Sequence, residues 1–243
     1  MSDTPRIFLL GPNKCGTTSF HRLFEASGIP SIHWKCSRTD RFLAHVMITN
    51  VSLGRNPIAG LEEYVAFSDM NFASNQIWIE AKCFFREMHK HNQDAYFILN
   101  TRDEDDWLLS RSKHQVWKRP NFKKLLSKEK IGSWDRVKRT IAQRIKQANT
   151  KRRLRGSTND FVTTPSWIDR AMKAVGTSNA EEIMELWRLD FRRHNADVAD
   201  YFSGHPKFLT FNIDSDHISD VSDFLSPDFS INKTAWKHHN RTS

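Results

Sequence analysis

The segment Arg6-Ile7-Phe8-Leu9-Leu10-Gly11-Pro12-Asn13-Lys14-Cys15-Gly16-Thr17-Thr18-Ser19-Phe20 constrains the fold of this chain more than any other. An apolar run ends at a glycine, four residues separate it from a second glycine, and hydroxyl residues then open a helical pattern. That order is a strand, a tight loop and a helix. The loop and the helix start form an anion cradle, because backbone N–H groups and the positive helix end face the same way, and Thr17, Thr18 and Ser19 add hydroxyl donors. The glycine spacing is that of a nucleoside-triphosphate loop, G-x-x-x-x-G. Thr17, however, stands where such a loop has its lysine, and the lysine lies inside the loop at Lys14.

A second junction follows at Ala95-Tyr96-Phe97-Ile98-Leu99-Asn100-Thr101-Arg102, a buried strand ending on an arginine. Asp103-Glu104-Asp105-Asp106 then opens a helix with acidic residues where the helix dipole favours them. Arg102 is therefore expected at the carboxyl end of a strand, the edge at which open α/β sheets bind ligands. A guanidinium fork there suits a phosphate, and the hydroxyl of Ser110 could complete its shell.

A lysine two residues before Gly-Thr-Thr resembles the phosphosulfate loop of sulfotransferases that use 3′-phosphoadenosine-5′-phosphosulfate (PAPS), and the second junction resembles their 3′-phosphate site. The resemblance continues through Ser31-Ile32-His33-Trp34, Tyr64-Val65-Ala66-Phe67-Ser68-Asp69, and the stretch from Leu186-Trp187 to Tyr201-Phe202 with the strand after it. It finds no counterpart for residues 115–177. It implies one α/β domain over residues 1–243, with a central parallel sheet flanked by helices, a largely helical second half, and a basic insertion or lid at about 115–177. It also implies PAPS as sulfuryl donor, held by Asn13, Lys14, Cys15, Gly16, Thr17, Thr18 and Ser19, with Arg102 and Ser110 on the 3′-phosphate. The tail Lys233-Thr234-Ala235-Trp236-Lys237-His238-His239-Asn240-Arg241 resembles the basic, Trp-containing segment that closes over that phosphate, which makes Lys237 and Arg241 candidates.

In that chemistry Lys14 would neutralise the charge that grows on the bridging oxygen, and a base would take the acceptor proton. His33, ending the second strand, ranks first for the base, Asp69 second and Glu80 third. Each has a plainer alternative: a core hydrogen bond for His33, a cap for Asp69, and a pair with Lys82 or Arg86 for Glu80. No metal is expected, since Lys14 supplies the charge that a metal supplies in kinases.

The net charge of +9 is regional. Residues 111–155 hold 17 Lys/Arg against Glu129 and Asp135, a local +15 that leaves −6 for the rest. Such a run is most often a solvated helix face and next most often an acceptor site facing an anionic molecule. A nucleic-acid-binding protein without catalysis, stacking bases on Trp117, Phe122 and Trp134, is a rival of another class, but no recognised RNA or DNA motif accompanies the charge. A P-loop kinase-like phosphotransferase is the rival enzyme, and it lacks Gly-Lys-[Ser/Thr]. The acceptor expected is a hydroxyl of a carbohydrate or lipid-linked molecule, with a small metabolite or amine as the alternative.

Cys15, Cys36 and Cys83 have neither zinc spacing nor an even count, and no run reaches the roughly 20 apolar residues of a membrane span. A cytoplasmic location is the expectation. The anion-binding field at Cys15 could lower its pKa, although a small residue that merely fits is the plainer reading.

The patterning predicts strands at 6–11, 31–34, 95–101 and 207–213. It predicts helices at 17–27, 38–49, near 60–66, 78–91, 104–113, 134–150, 166–175 and 217–225, and a long one that Ser178 and Glu181 cap and Gly204 ends. The aperiodic run 151–164 is expected as the lid.

Overall fold

The computed structural model describes residues 4–36, 39, 41–73, 78–112 and 167–237. The predicted helix 134–150 and lid 151–164, and Arg241, lie outside them.

Strand β1 (Ile7–Leu9) is fully buried and sits at the middle of a five-stranded parallel sheet. On one side it pairs with β3 (Ala66–Ser68), which in turn pairs with the edge strand β2 (Ser31–His33). On the other side lies β6 (Tyr96–Thr101), followed by β7 (Phe208–Asn212). The chain thus runs from β1 outward to β2, returns to β3, and then crosses β1 to reach β6. The order reverses around the carboxyl ends of β1 and β3, the place where open α/β sheets form their ligand crevice.

Because side chains alternate along a strand, the sheet feeds two cores. Phe8, Leu10, Ile32, Phe67, Phe97 and Leu99 meet helices α2 (Leu43–Ser52), α3 (Phe85–His91) and α6 (Ala180–Tyr201) on one face. Ile7, Leu9, Ala66, Tyr96, Ile98 and Phe211 meet α1 (Thr17–Ala26) and α7 (Ile218–Leu225) on the other. Phe8 stacks between Phe67 and Phe97 at 5.2 and 5.6 Å, so three adjacent strands share one aromatic layer. Helix α4 (Glu104–Ser112) is tied to α6 by Arg188 and Arg192, whose guanidinium groups both reach Glu104 at 2.7 Å. Helix α5 (Trp167–Val175) precedes α6.

Most predicted elements are present, with four corrections. The helix expected near 60–66 is a turn leading into β3, a run of three buried residues too short to show a period. The helix expected from 78 begins only at Phe85, because β5 (Trp78–Glu80) first pairs with β4 (Asn71–Ala73) and a 3-10 turn, Ala81–Phe84, follows. The helix expected at 38–49 is displaced to Leu43–Ser52. Asn179, not Ser178, caps α6, its side-chain oxygen accepting from the Glu181 N–H at 3.0 Å.

Candidate active site

The loop between β1 and α1 is built so that only glycine fits its first position. A Cβ on Gly11 would stand 1.7 Å from the Asn100 carbonyl oxygen on β6. The Asn100 side chain uses this closeness to staple both ends of the loop. Its Oδ1 accepts from the Gly11 N–H at 2.9 Å and its Nδ2 donates to the Cys15 carbonyl at 2.7 Å. Gly16 caps α1 with φ 78°, and a Cβ there would meet Ile213 at 3.0 Å. No side chain caps α1 and its first turn holds no acidic residue, so its positive end is not neutralised by a carboxylate of that turn.

Helix α4 holds the loop from the side. The Trp107 indole N–H donates to the Asn13 carbonyl at 3.0 Å, and Arg111 donates to Asn13 Oδ1 at 3.0 Å. The Asn13 side chain is therefore a structural tie. Arg111 and Lys82 also flank Glu80, at 3.2 and 3.3 Å. Glu80, the third candidate base, sits between two buried cations; its alternative reading held for Lys82, whereas Arg86 pairs with Asp197 at 2.5 Å. Cys15 is fully buried, and burial outweighs the nearby cations and pushes its thiol up to about 12, which agrees with the plainer reading of a small residue that fits. Thr17 and Ser19 are buried in the first turn.

Thr18 faces the neighbouring strand. Its hydroxyl lies 3.2 Å from His33 Nε2, and His33 Nδ1 lies 3.7 Å from Asp69 Oδ2. The two leading base candidates are thus neighbours, brought together by the β2–β3 register that sets His33 opposite Ser68. Burial raises the Asp69 carboxyl above the ordinary range, while His33, the Asn71 amide and Lys14 pull it back. Asp69 also accepts a hydrogen bond from Asn71. Lys14 is the smallest of the influences that lower the Asp69 carboxyl, after His33 and the Asn71 amide.

Arg102 directly follows β6, beside the loop. Its Nη1 donates to the Lys14 carbonyl at 3.4 Å, its Nε and Nη2 face Asp214 at 3.3 Å, and Asp106 lies at 3.7 Å. The local carboxylates that engage it are Asp214 and Asp106; Asp105 instead meets Arg188 at 2.8 Å. Ser110 is buried on the helix face it shares with Trp107 and Arg111.

A family model described as a sulfotransferase domain matches residues 6–227, from β1 through α7. The chain belongs to the sulfotransferase-domain family. Comparison with curated proteins gives no match. The α/β fold and sulfotransferase resemblance read from the sequence both hold, and the domain is that of a transferase.

The C-terminal segment is anchored as far as it is described. Trp236 packs against Phe20 and Phe211 with centroids 5.1 and 6.0 Å away, one turn past the loop between β1 and α1, and Lys237 follows it, exposed. Sequence reasoning missed four residues that shape this site: Asn100, Trp107, Arg111 and His194. Asn100 had a signal, a polar residue closing an otherwise apolar strand. His194 is buried on α6 with Nε2 2.7 Å from the Leu10 carbonyl, and burial and Lys82 push it down to about 4. It is therefore a neutral donor under the start of the loop. Among the described residues, no three His, Cys, Asp or Glu side chains group to hold a metal ion, and no helix is long and apolar enough to cross a membrane.

Proposed function

We propose that this chain transfers the sulfuryl group of PAPS to an acceptor hydroxyl, of a carbohydrate or lipid-linked molecule, by in-line displacement. The observation that carries the reading is the meeting of Thr18, His33 and Asp69 at the carboxyl edge of β2 and β3, next to the loop after β1 that carries Lys14. A cation inside an anion-binding loop and a proton acceptor facing the same space are the two groups such a transfer needs.

The residues fit the donor. A loop that excludes side chains at Gly11 and Gly16, with Thr18 beside it, suits the phosphosulfate, and Arg102 with Ser110 suits the 3′-phosphate. The bond from sulfur to the bridging phosphate oxygen breaks as the bond from the acceptor oxygen to sulfur forms. Lys14 neutralises the bridging oxygen, which leaves on adenosine 3′,5′-bisphosphate. His33 takes the acceptor proton, and Asp69 stabilises the imidazolium that results. In this reading residues 1–243 act as one domain, and the basic stretch 111–155 serves an acceptor that carries negative charge.

Two measurements test it. Adenosine 3′,5′-bisphosphate should raise the melting temperature without added metal while ATP with Mg2+ should not; the reverse pattern would move the chain to the phosphotransferases. With labelled PAPS, His33→Ala should lose turnover at nearly unchanged donor affinity, whereas loss only in Asp69→Asn would assign the proton to Asp69.

A further inference from the structure

Among the described residues three non-glycines hold a left-handed backbone: Lys14 at φ 73°, Trp34 at φ 62° and Asp69 at φ 53°. Each follows one of three neighbouring strands at its carboxyl end, Trp34 directly after β2, Asp69 directly after β3, and Lys14 within the loop after β1. For a bulky aromatic residue this conformation is a genuine outlier, and such strain persists where the surroundings enforce it. Here they do. The Trp34 N–H donates to the Ser68 carbonyl at 3.2 Å, its carbonyl accepts from the Leu43 N–H at 2.9 Å, and the next residue folds back with Lys35 N–H on the His33 carbonyl at 2.6 Å.

The backbone turn leaves the indole 43% exposed, in a protein whose Trp107 is 1% exposed. The ring does not stand alone. It packs on Phe42 at 5.2 Å, Phe42 packs on Phe72 at 4.7 Å, and His45 closes the row at 4.1 Å from Phe72. Lys35 sets its ammonium 5.0 Å from the Phe42 ring. An aromatic row with a polar rim thus begins at the residue next to His33. Lys14 and Asp69 have work in donor binding and proton transfer; Trp34 has none there, and leaving a large apolar ring in water at this edge needs another reason.

We infer that the acceptor lies on Trp34 and carries its reacting hydroxyl on a ring. The inference rests on the sulfotransfer reading above. A flat indole held rigid beside the base gains most from a rigid partner of its own size, whose face it covers at little entropic cost. An open-chain alcohol would have to be ordered bond by bond on the same surface. An aryl ring and the C–H face of a pyranose share this chemistry, and the acceptor probes distinguish them.

The probes are 2-naphthol, methyl β-D-glucopyranoside and 1-hexanol, applied to the full chain. Saturation-transfer NMR without nucleotide should show saturable binding of a ring probe and none of hexanol. Trp34→Ala should weaken that ring probe about tenfold and raise its KM with PAPS by a similar factor, with kcat within a few-fold, while Trp34→Phe recovers most of the loss. Affinity for adenosine 3′,5′-bisphosphate should stay within about twofold, as expected of a residue that touches only the acceptor. Whichever ring probe binds names the acceptor type. Wild type that binds neither ring probe, Trp34→Ala that binds it as wild type does, or a variant that loses nucleotide affinity in step would overturn the assignment. Failure of the donor reading shows separately, as no binding of adenosine 3′,5′-bisphosphate by wild type, because the NMR arm needs no donor.

Discussion

The two strand-to-helix junctions at the head of this sheet solve the same problem in opposite ways. At the first, α1 begins on Gly16 with no side-chain cap and no acidic residue in its first turn. At the second, α4 begins with Asp103 accepting from the Asp105 and Asp106 N–H groups at 3.0 Å, with Glu104, Asp105 and Asp106 around it. One helix end keeps its positive field for an incoming anion, and the other satisfies its own. The second junction presents its charge through a side chain, Arg102, which is already shared with Asp214. In the proposed function, a ligand phosphate there would compete with a carboxylate, whereas the first turn of α1 holds no acidic residue. The difference predicts that the first junction governs reaction and the second governs recognition.

The sharpest way to break this division is Lys14→Ala. If the first junction serves the transition state, the variant should bind PAPS nearly as well and turn over at least about a hundredfold more slowly, since a group aimed at developing charge contributes on the order of 3 kcal/mol to the barrier. Single-turnover kinetics separates the two effects. Turnover within a few-fold of wild type would remove Lys14 from the chemistry.

The floor of the first junction should also fail first in acid. His194 donates to the Leu10 carbonyl as a neutral imidazole, and burial holds its folded pKa at about 4, below the 6.5 of an ordinary histidine. The folded state therefore binds fewer protons in that window, so its contribution is complete above pH 6.5 and is lost as pH falls toward 4. The loss is on the order of 3 kcal/mol. Asp69, raised by burial, acts with the opposite sign, losing stability as pH rises. The comparison is therefore between wild type and His194→Gln, in which Asp69 cancels. Urea unfolding from pH 7 to 4 should show a steeper decline for wild type; parallel curves would mean that His194 titrates alike in the folded and unfolded chain.

How far the sequence discloses these junctions depends on how local each device is. The loop from Gly11 to Gly16 and the acidic start of α4 are read from adjacent residues, and both stand where they were expected. The His33–Asp69 contact needs the pairing of β2 with β3, and β3 is a run of three buried residues that carries no period. The ties from Asn100 to Cys15 and from Arg111 to Asn13 span 85 and 98 positions. Residue type alone cannot announce such partners. Asn179 displaced Ser178 as the cap of α6 because either side chain could serve, and one residue of offset decided it.

At the second junction, Arg102→Ala and Ser110→Ala should weaken adenosine 3′,5′-bisphosphate more than adenosine 5′-phosphate. Loss of a charge-assisted pair costs about 1.5–3 kcal/mol, so calorimetry should find roughly a ten- to hundredfold drop for Arg102→Ala with the bisphosphate and little with the monophosphate. Equal losses for both ligands would show that Arg102 acts through the Lys14 carbonyl on the first junction. The two junctions would then be one site.

The smallest effect separates the helix ends themselves. Asp103→Ala removes the cap of α4 and should cost about 1 kcal/mol of stability, a fall in Tm of roughly 2–4 °C for a chain of this size. Nucleotide affinity should stay within about twofold, because the cap satisfies the helix and not the ligand. No matching experiment exists at α1, where φ 78° and the Ile213 side chain exclude a capping residue at Gly16. If Asp103→Ala instead strengthens bisphosphate binding several-fold, the carboxylates of α4 repel the 3′-phosphate. The second junction would then owe its selectivity to a balance between Arg102 and its acidic neighbours, and the contrast with the bare end of α1 would be one of degree.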